Sequence, residues 1–300
     1  MKDCVIVGGG PAGLSAALVL GRARRSVMLI DDNRPRNAVT HASHGFLTRD
    51  GIQPAQFRRI ALQEVLEYPT VEHRQAEVAE IFKQADGFEI VIKTGDRVRA
   101  KKLIMATGLK EVFPTIDGLH DFYGKSLFNC PYCDGWECRD RPIILIAEEP
   151  VILHMAKLLY NWSQDLIVCT NGKPLLSTEE RMMLETKQIR IIDDTPISAF
   201  EGKNGQLKQI VLADGRRIER SAGFVIPKWQ AKVDFSKELG YAVTEFGGIT
   251  TDTMGRSTIA GLYAAGDAAY VRPSQLIYAA SDGYKTAITV NTDLSEELFV

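Results

Sequence analysis

Cys130-Pro131-Tyr132-Cys133-Asp134-Gly135 places two thiols three positions apart, with a carboxylate directly behind the second. Cysteines at that spacing can close and reopen a disulfide across one helical turn, and a local charge or a helix N-terminus can bring a thiol pKa into the working range. Pro131 suits a first helical turn, where its missing N–H is not needed. A zinc site would need two more ligands, and no second Cys-x-x-Cys or histidine pair supplies them at regular spacing. No metal is therefore expected. Asp134 has two possible uses, capping a helix or moving a proton. An aspartate is a weak base at its ordinary pKa of about 4, so the second use requires burial. Cys4, Cys138 and Cys169 lack partner spacing and read as core residues.

The elements that could serve such a pair begin at the amino terminus. The apolar strand Cys4 to Val7 runs into Gly8-Gly9-Gly10-Pro11-Ala12-Gly13 and a helix from Leu14 to Gly21, and a second strand, Val27 to Ile30, ends on Asp31. This is G-x-G-x-x-G inside a βαβ unit, with an acid near the tip of the second strand. Gly8 permits the tight turn, Gly10 lets the backbone approach a pyrophosphate, and Gly13 lets helix and strand pack closely. Asp31 can accept from ribose hydroxyls. Two later strands close on turns of their own, Leu103-Ile104-Met105-Ala106-Thr107-Gly108 and Gly261-Leu262-Tyr263-Ala264-Ala265-Gly266-Asp267.

In this order and at these distances the three segments resemble the flavoproteins with two dinucleotide domains. Cys-x-x-Cys-Asp-Gly just before a further strand, Ile143 to Ile146, is similar to the low-molecular-weight thioredoxin reductases, over essentially the whole chain. The resemblance implies an α/β fold of two Rossmann-like, three-layer domains. The FAD domain, 1–114 and 242–300, is split by insertion of the second, 115–241, which bears the cysteines. It implies FAD held by Gly8, Gly10, Pro11, Ala12, Gly13, Asp31, Asp32, Asn37, Thr107 and Gly108. Gly266 and Asp267 would face the ribityl chain, and Ser274, Gln275 and Leu276 would open a helix facing the flavin pyrimidine edge. By the same resemblance Cys133 lies against the flavin, Cys130 exchanges with substrate, and Asp134 is the acid–base group. A homodimer formed through the FAD domain is also implied.

A thioredoxin reductase needs a second glycine-rich turn, for NADPH, after the strand that follows the cysteines. Laying the first βαβ unit over the chain matches Val5-Ile6-Val7 with Ile144-Leu145-Ile146 and Pro11 with Pro150. The glycines do not survive: Gly8 falls on Ala147, Gly10 on Glu149, Gly13 on Ile152, and Asp31 on Thr170. A carboxylate about 5 Å from a phosphate costs roughly 3 kcal/mol at an effective dielectric near 20. Glu148 and Glu149 thus exclude a dinucleotide, or else cap the helix of an empty site. Thr170-Asn171-Gly172-Lys173-Pro174 stands where the family carries an arginine-rich turn for the 2'-phosphate. Branches without the NADPH signature include ferredoxin-dependent reductases and the dithiol oxidases of gliotoxin and holomycin pathways. The chain is closest to the oxidases, though they usually carry histidine where it keeps Asp134.

Composition bounds the remaining classes. At 300 residues the chain accommodates two domains of roughly 100 to 150 residues. A formal net charge of −2 offers no basic surface for nucleic acid, and Arg22, Arg24 and Arg25 read as a solvated helix end. No apolar run approaches the roughly 20 residues that span a bilayer, and the amino terminus turns glycine-rich too early for a signal peptide. A cytoplasmic protein is expected. Three functions remain in view. In the first, a small dithiol or thioredoxin-like protein is oxidised, with oxygen or another acceptor downstream. In the second, ferredoxin or another carrier feeds reduction of a thioredoxin-like disulfide. The third is a redox-sensing flavoprotein without catalysis.

Overall fold

The computed structural model describes residues 1–270 and 275–299. β1 (Lys2–Val7) is buried from Cys4 onward and leads through the glycine turn into α1 (Pro11–Arg22), whose first position is proline. β2 (Val27–Asp31) follows, then α2 (Pro54–Leu66) and β3 (Val71–Gln75). A meander of β4 (Val78–Gln84), β5 (Gly87–Ile92) and β6 (Arg97–Met105) comes next. β7 (Leu109–Val112) then carries the chain into its second unit.

The second unit begins with α3 (Leu119–Phe122), β8 (Leu127–Phe128) and α4 (Pro131–Asp134). It continues through β9 (Ile143–Ile146), α5 (Ile152–Leu159), β10 (Leu166–Cys169), α6 (Thr178–Thr186) and β11 (Arg190–Ile192). A three-stranded meander, β12 (Ile197–Lys203), β13 (Gln206–Leu212) and β14 (Arg217–Glu219), precedes β15 (Ala222–Val225). The chain returns along β16 (Lys228–Ala231), which pairs with β7, to α7 (Ser236–Leu239), β17 (Leu262–Ala264) and α8 (Leu276–Glu296).

In the first unit the sheet order is β3-β2-β1-β6-β5-β4, with β17 also on β6. β6 shows why a single strand can serve two kinds of sheet. Its first half pairs antiparallel with β5 and alternates exposed and covered residues, whereas Leu103–Met105, flanked by parallel β1 and β17, is buried throughout. One core joins β1 to α1 and α8; the other, on the opposite face, joins Phe88 and Ile90 of β5 to Phe235, Leu239 and Tyr241. The second unit has the parallel order β11-β10-β9-β15-β8. Its β9, β10 and β15 are buried at every position, as strands covered on both faces must be.

The fold is α/β with two Rossmann-like units, the first interrupted by the second. The division falls at 111/112 and 228/229, apart from 39–44, which belong with the second unit. The sequence estimate of the return, 242, comes too late. Phe235, Leu239 and Tyr241 carry a pattern too short to assign, and only their packing places them in the first unit's core. Nor is Arg25 merely solvated: its guanidinium donates to Asn291 Oδ1 (2.7 Å) and Ser295 Oγ (2.6 Å) on α8.

α1 and α8 approach so closely that a Cβ on Gly283 would stand 1.9 Å from the Ala12 carbonyl oxygen. Gly283→Ala should therefore lower stability by about 1–3 kcal/mol through overpacking. A melting temperature unchanged from wild type would show that the helices can separate at no cost.

Candidate active site

A cleft opens at the carboxyl ends of β1 and β2, where a doubly wound sheet places its ligands. Gly8 has φ +112°, and a Cβ there would lie 2.2 Å from the Ala106 carbonyl oxygen; a Cβ on Gly13 would lie 1.8 Å from that of Gly8. Both positions demand glycine for packing. Gly10 differs: it lines the cleft, and a Cβ on it would meet no protein atom within 4 Å. Its hydrogen keeps the cleft floor open. Pro11, Asp31, Asp32, Asn37, Thr107, Gly108, Asp267, Gln275 and Leu276 line the same cleft. Ala12 and Gly13 pack behind it, and Gly266 sits against Ala12. Ser274 lies outside the described residues.

The carboxylates of this cleft are held by cations that no motif announces. Asp31 accepts from the Gly9 N–H (3.0 Å) and is paired with Arg58 of α2, whose guanidinium also donates to the Gly9 carbonyl (3.3 Å). Asp32 accepts from Lys232 (2.9 Å) and from the Arg34 N–H (3.1 Å). Burial alone would raise the Asp32 carboxyl, but the Lys232 bond and the Arg34 contacts outweigh it and hold the group below its ordinary value. Arg36 bridges Glu111 and Asp267, both at 3.3 Å, with its guanidinium over the Trp229 ring. Sequence reasoning misses Arg58, Lys232 and Arg36, because an arginine or lysine on a polar stretch carries no sign of its distant partner.

In the second unit Cys130 is the N-cap of α4, and its carbonyl accepts from the N–H groups of Cys133 (3.1 Å) and Asp134 (3.2 Å). One tight turn thus carries both half-buried sulfurs and the carboxyl. Asp134 is the last of the four residues of α4, and the N-cap carries no side-chain cap hydrogen bond. Burial first, then the negative charges of Cys130 and Glu137, push its carboxyl up to about 7. Cys4, Cys138 and Cys169 are fully buried, and burial raises all three thiols, Cys138 to about 12 and Cys169 to about 11. Among the described residues no group of three or more His, Cys, Asp or Glu is arranged to hold a metal ion.

Beyond β9 the turn is longer than its counterpart after β1: α5 begins at Ile152, two residues past Pro150. Glu148 does not cap α5. It reaches across to the turn after β10, accepting from Asn171 Nδ2 and Lys173 Nζ, both at 2.6 Å. Asn171 adopts φ +57° and its amide oxygen also accepts from the Ile197 N–H (2.8 Å), so the turn is clamped on both sides. Burial would raise the Glu148 carboxyl, yet the bonds from Lys173 and Asn171 bring it below its usual range. Glu149 pairs with Lys228 at 3.4 Å, and Ile152 is wholly buried in the core under β9 and β10.

The model of the family described as pyridine nucleotide-disulphide oxidoreductase matches residues 2–283. The chain belongs to that family. This disulphide oxidoreductase is 32% identical over 280 residues to thioredoxin reductase aclD of Aspergillus oryzae, covering 88% of each chain. It is 29% identical to a probable thioredoxin reductase of Arthroderma benhamiae, over 98% of this chain and 81% of the other. Among solved structures it superimposes on a putative thioredoxin reductase TrxB from Bacillus anthracis with a TM-score of 0.95, at 45% identity over 99% of both chains. HlmI gives a TM-score of 0.91 at 31% identity, over 99% of this chain and 93% of that one. Thioredoxin reductase-like members of the family are FAD-binding enzymes. The cleft of this oxidoreductase fits that group: its floor is a glycine backbone left open, and its rim carries the carboxylates of Asp31 and Asp267. No helix among the described residues is long and apolar enough to cross a membrane.

Proposed function

We propose that this protein exchanges electrons between FAD and the Cys130–Cys133 pair, that it does not draw them from a pyridine nucleotide, and that its working direction is oxidation of a dithiol. The observation that carries the redox assignment is α4, which gathers two sulfurs and a carboxyl titrating near pH 7 into one turn. FAD would be held by Gly8, Gly10, Pro11, Ala12, Gly13, Asp31, Asp32, Asn37, Thr107, Gly108, Gly266, Asp267, Gln275 and Leu276, with Ser274 proposed on resemblance alone. When bound it supplies a two-electron couple for the cysteine pair. With the pair oxidised, a substrate thiolate attacks Cys130 Sγ and Cys133 leaves as thiolate. The Asp134 carboxylate takes the proton of the second substrate thiol, which then displaces Cys130.

The Glu148–Lys173–Asn171 cluster supports the exclusion of a nucleotide, because it fills with a carboxylate the turn where a phosphate needs N–H donors. The acceptor is then oxygen or another oxidant. A second reading is reduction of a thioredoxin-like disulfide, the direction that the names of the relatives favour, with ferredoxin or a similar carrier proposed as the electron source. A homodimer through the FAD unit is supported by Ile277, Tyr284 and Ile288, which are exposed along one stripe of α8.

The sulfurs can be told apart by spectrum. Cys130→Ser should show long-wavelength charge-transfer absorbance with FAD bound, and both Cys130→Ser and Cys133→Ser should lose dithiol-driven flavin reduction by about a thousandfold or more. Absorbance of that kind only in Cys133→Ser would reverse the roles.

A further inference from the structure

Beyond α4 the chain keeps coiling. The Cys138 N–H is bonded to the carbonyls of Asp134 (3.2 Å) and Gly135 (3.1 Å), so Glu137 follows Asp134 at the i, i+3 spacing that sets side chains on one face. Glu137 in turn meets His44, Oε1 to Nε2 3.7 Å. His44 ends a strap, residues 39–44, that belongs with the second unit although the chain on either side of it belongs with the first. The strap is seated at its other end as well: a Cβ on Gly124, which has φ +77°, would stand 2.4 Å from the Val39 carbonyl oxygen. A strap pinned at Val39 thus brings one titratable ring to the acids of the cysteine turn.

Burial, then the charges of Cys130 and Glu137, favour a proton on Asp134. The buried Cys138 thiol also lies within reach of Asp134, Glu137 and Arg141, while Arg139 lays its guanidinium over the Trp136 ring. A like charge favours the neutral acid only while it is uncompensated. A protonated imidazole 3.7 Å from Glu137 compensates it, and a neutral one does not. We infer that Glu137 and His44 are positioning residues for the acid–base step: Glu137 holds the proton on Asp134, and His44 sets how much of the Glu137 charge Asp134 meets. This rests on the assignment of Asp134 as the acid–base group of the cysteine pair. The thiol proton still goes to the Asp134 carboxylate, and the pair decides at what pH that carboxylate is available. As pH falls and His44 takes up a proton, Glu137 is neutralised and Asp134 stays ionised further into acid. As pH rises the compensation is lost and Asp134 keeps its proton longer, so its titration is spread over a wider range than that of a lone carboxyl.

The test reads Asp134 in two ways on the FAD-loaded protein. Carbon-13 NMR follows its carboxyl carbon against pH, assigned by its absence in Asp134→Asn. Anaerobic flavin bleaching by dithiothreitol, taken relative to Asp134→Asn at each pH, gives the kinetic midpoint. Glu137→Gln should lower both midpoints by about 0.5, which at pH values below them is about a threefold gain in carboxylate, because a like charge one turn away is gone. His44→Gln should raise both by about 0.3 and steepen the titration, because the compensating charge is gone. Placed on top of Glu137→Gln, the same histidine substitution should have less than about half of that effect, as expected of a residue that acts through another. Midpoints unmoved by Glu137→Gln, shifts of the same sign in the two single variants, or a full His44 effect in the absence of Glu137 would overturn the inference. So would a lowered melting temperature with unmoved midpoints, the mark of a purely structural pair. If dithiothreitol bleached no flavin at any pH, the redox assignment would fall, and the carboxyl titration alone would decide the roles of Glu137 and His44.

Discussion

Micromolar NADPH should leave the flavin of this protein oxidised under anaerobic conditions, whereas a dithiol bleaches it. Two bare carboxylates would each cost a phosphate roughly 3 kcal/mol, and the ion pairs of Glu148 with Lys173 and Glu149 with Lys228 remove about half of that. An entering phosphate must also break the charge-assisted bonds that Glu148 accepts from Lys173 and Asn171, at about 1.5 kcal/mol or more apiece. Together the two effects weaken binding by about four powers of ten. Rapid flavin reduction by micromolar NADPH in stopped flow would refute this. The converse experiment replaces Glu148 and Glu149 with glycine and introduces arginine at Gly172. Ile152 stays, because it is wholly buried and truncation to alanine would cost about 2–5 kcal/mol in packing. Slow NADPH oxidation by that variant would show that the unit kept its shape and lost only its ligand.

Asp134→Asn should slow dithiol-driven flavin reduction by about a hundredfold to ten-thousandfold near neutral pH, since a positioned general acid–base contributes that much. The pH profile also gives the direction of flux. Wild type should inflect near 7, where the Asp134 carboxyl titrates. In dithiol oxidation the carboxylate form takes the thiol proton, so the rate of wild type relative to the Asp134→Asn variant rises with pH through that value. In disulfide reduction the protonated form gives the proton up, and the ratio falls. Stability responds in a fixed sense. The folded carboxyl titrates near 7 against an ordinary 3.8, so the folded state binds the proton more tightly and loses stability as pH rises through that window. Asp134→Asn should therefore be more stable than wild type at pH 8, by up to a few kcal/mol, and equal to it at pH 3. Identical denaturation midpoints at pH 8 would mean that Asp134 is solvated like any surface acid.

Much of the fold was legible because its signals are local. Gly13 is demanded by the Gly8 carbonyl oxygen five residues before it, and apolar runs such as Ile143–Ile146 are the mark of strands buried on both faces. Ser177 and Glu180, a capping box at the start of α6, are a local signal of the same kind that the sequence reading did not use. The cysteine turn was legible for the same reason, since Cys130, Cys133 and Asp134 lie within a single helical turn.

What the sequence determined by itself is the set of groups held together by a few neighbouring peptide units: the glycine turn, the cysteine turn, and the absence of glycine after β9. Tertiary structure alone decided which partner each charge has. Arg58 on Asp31, Lys232 on Asp32 and Arg36 on Asp267 join residues far apart in the chain. Glu148 was legible as a carboxylate beyond β9 but not as one arm of a clamp with Asn171 and Lys173. The physical reason is that an ion pair depends on the separation of two side chains in space, which no local pattern encodes, while a turn depends on the dihedral angles of consecutive residues, which residue type constrains directly.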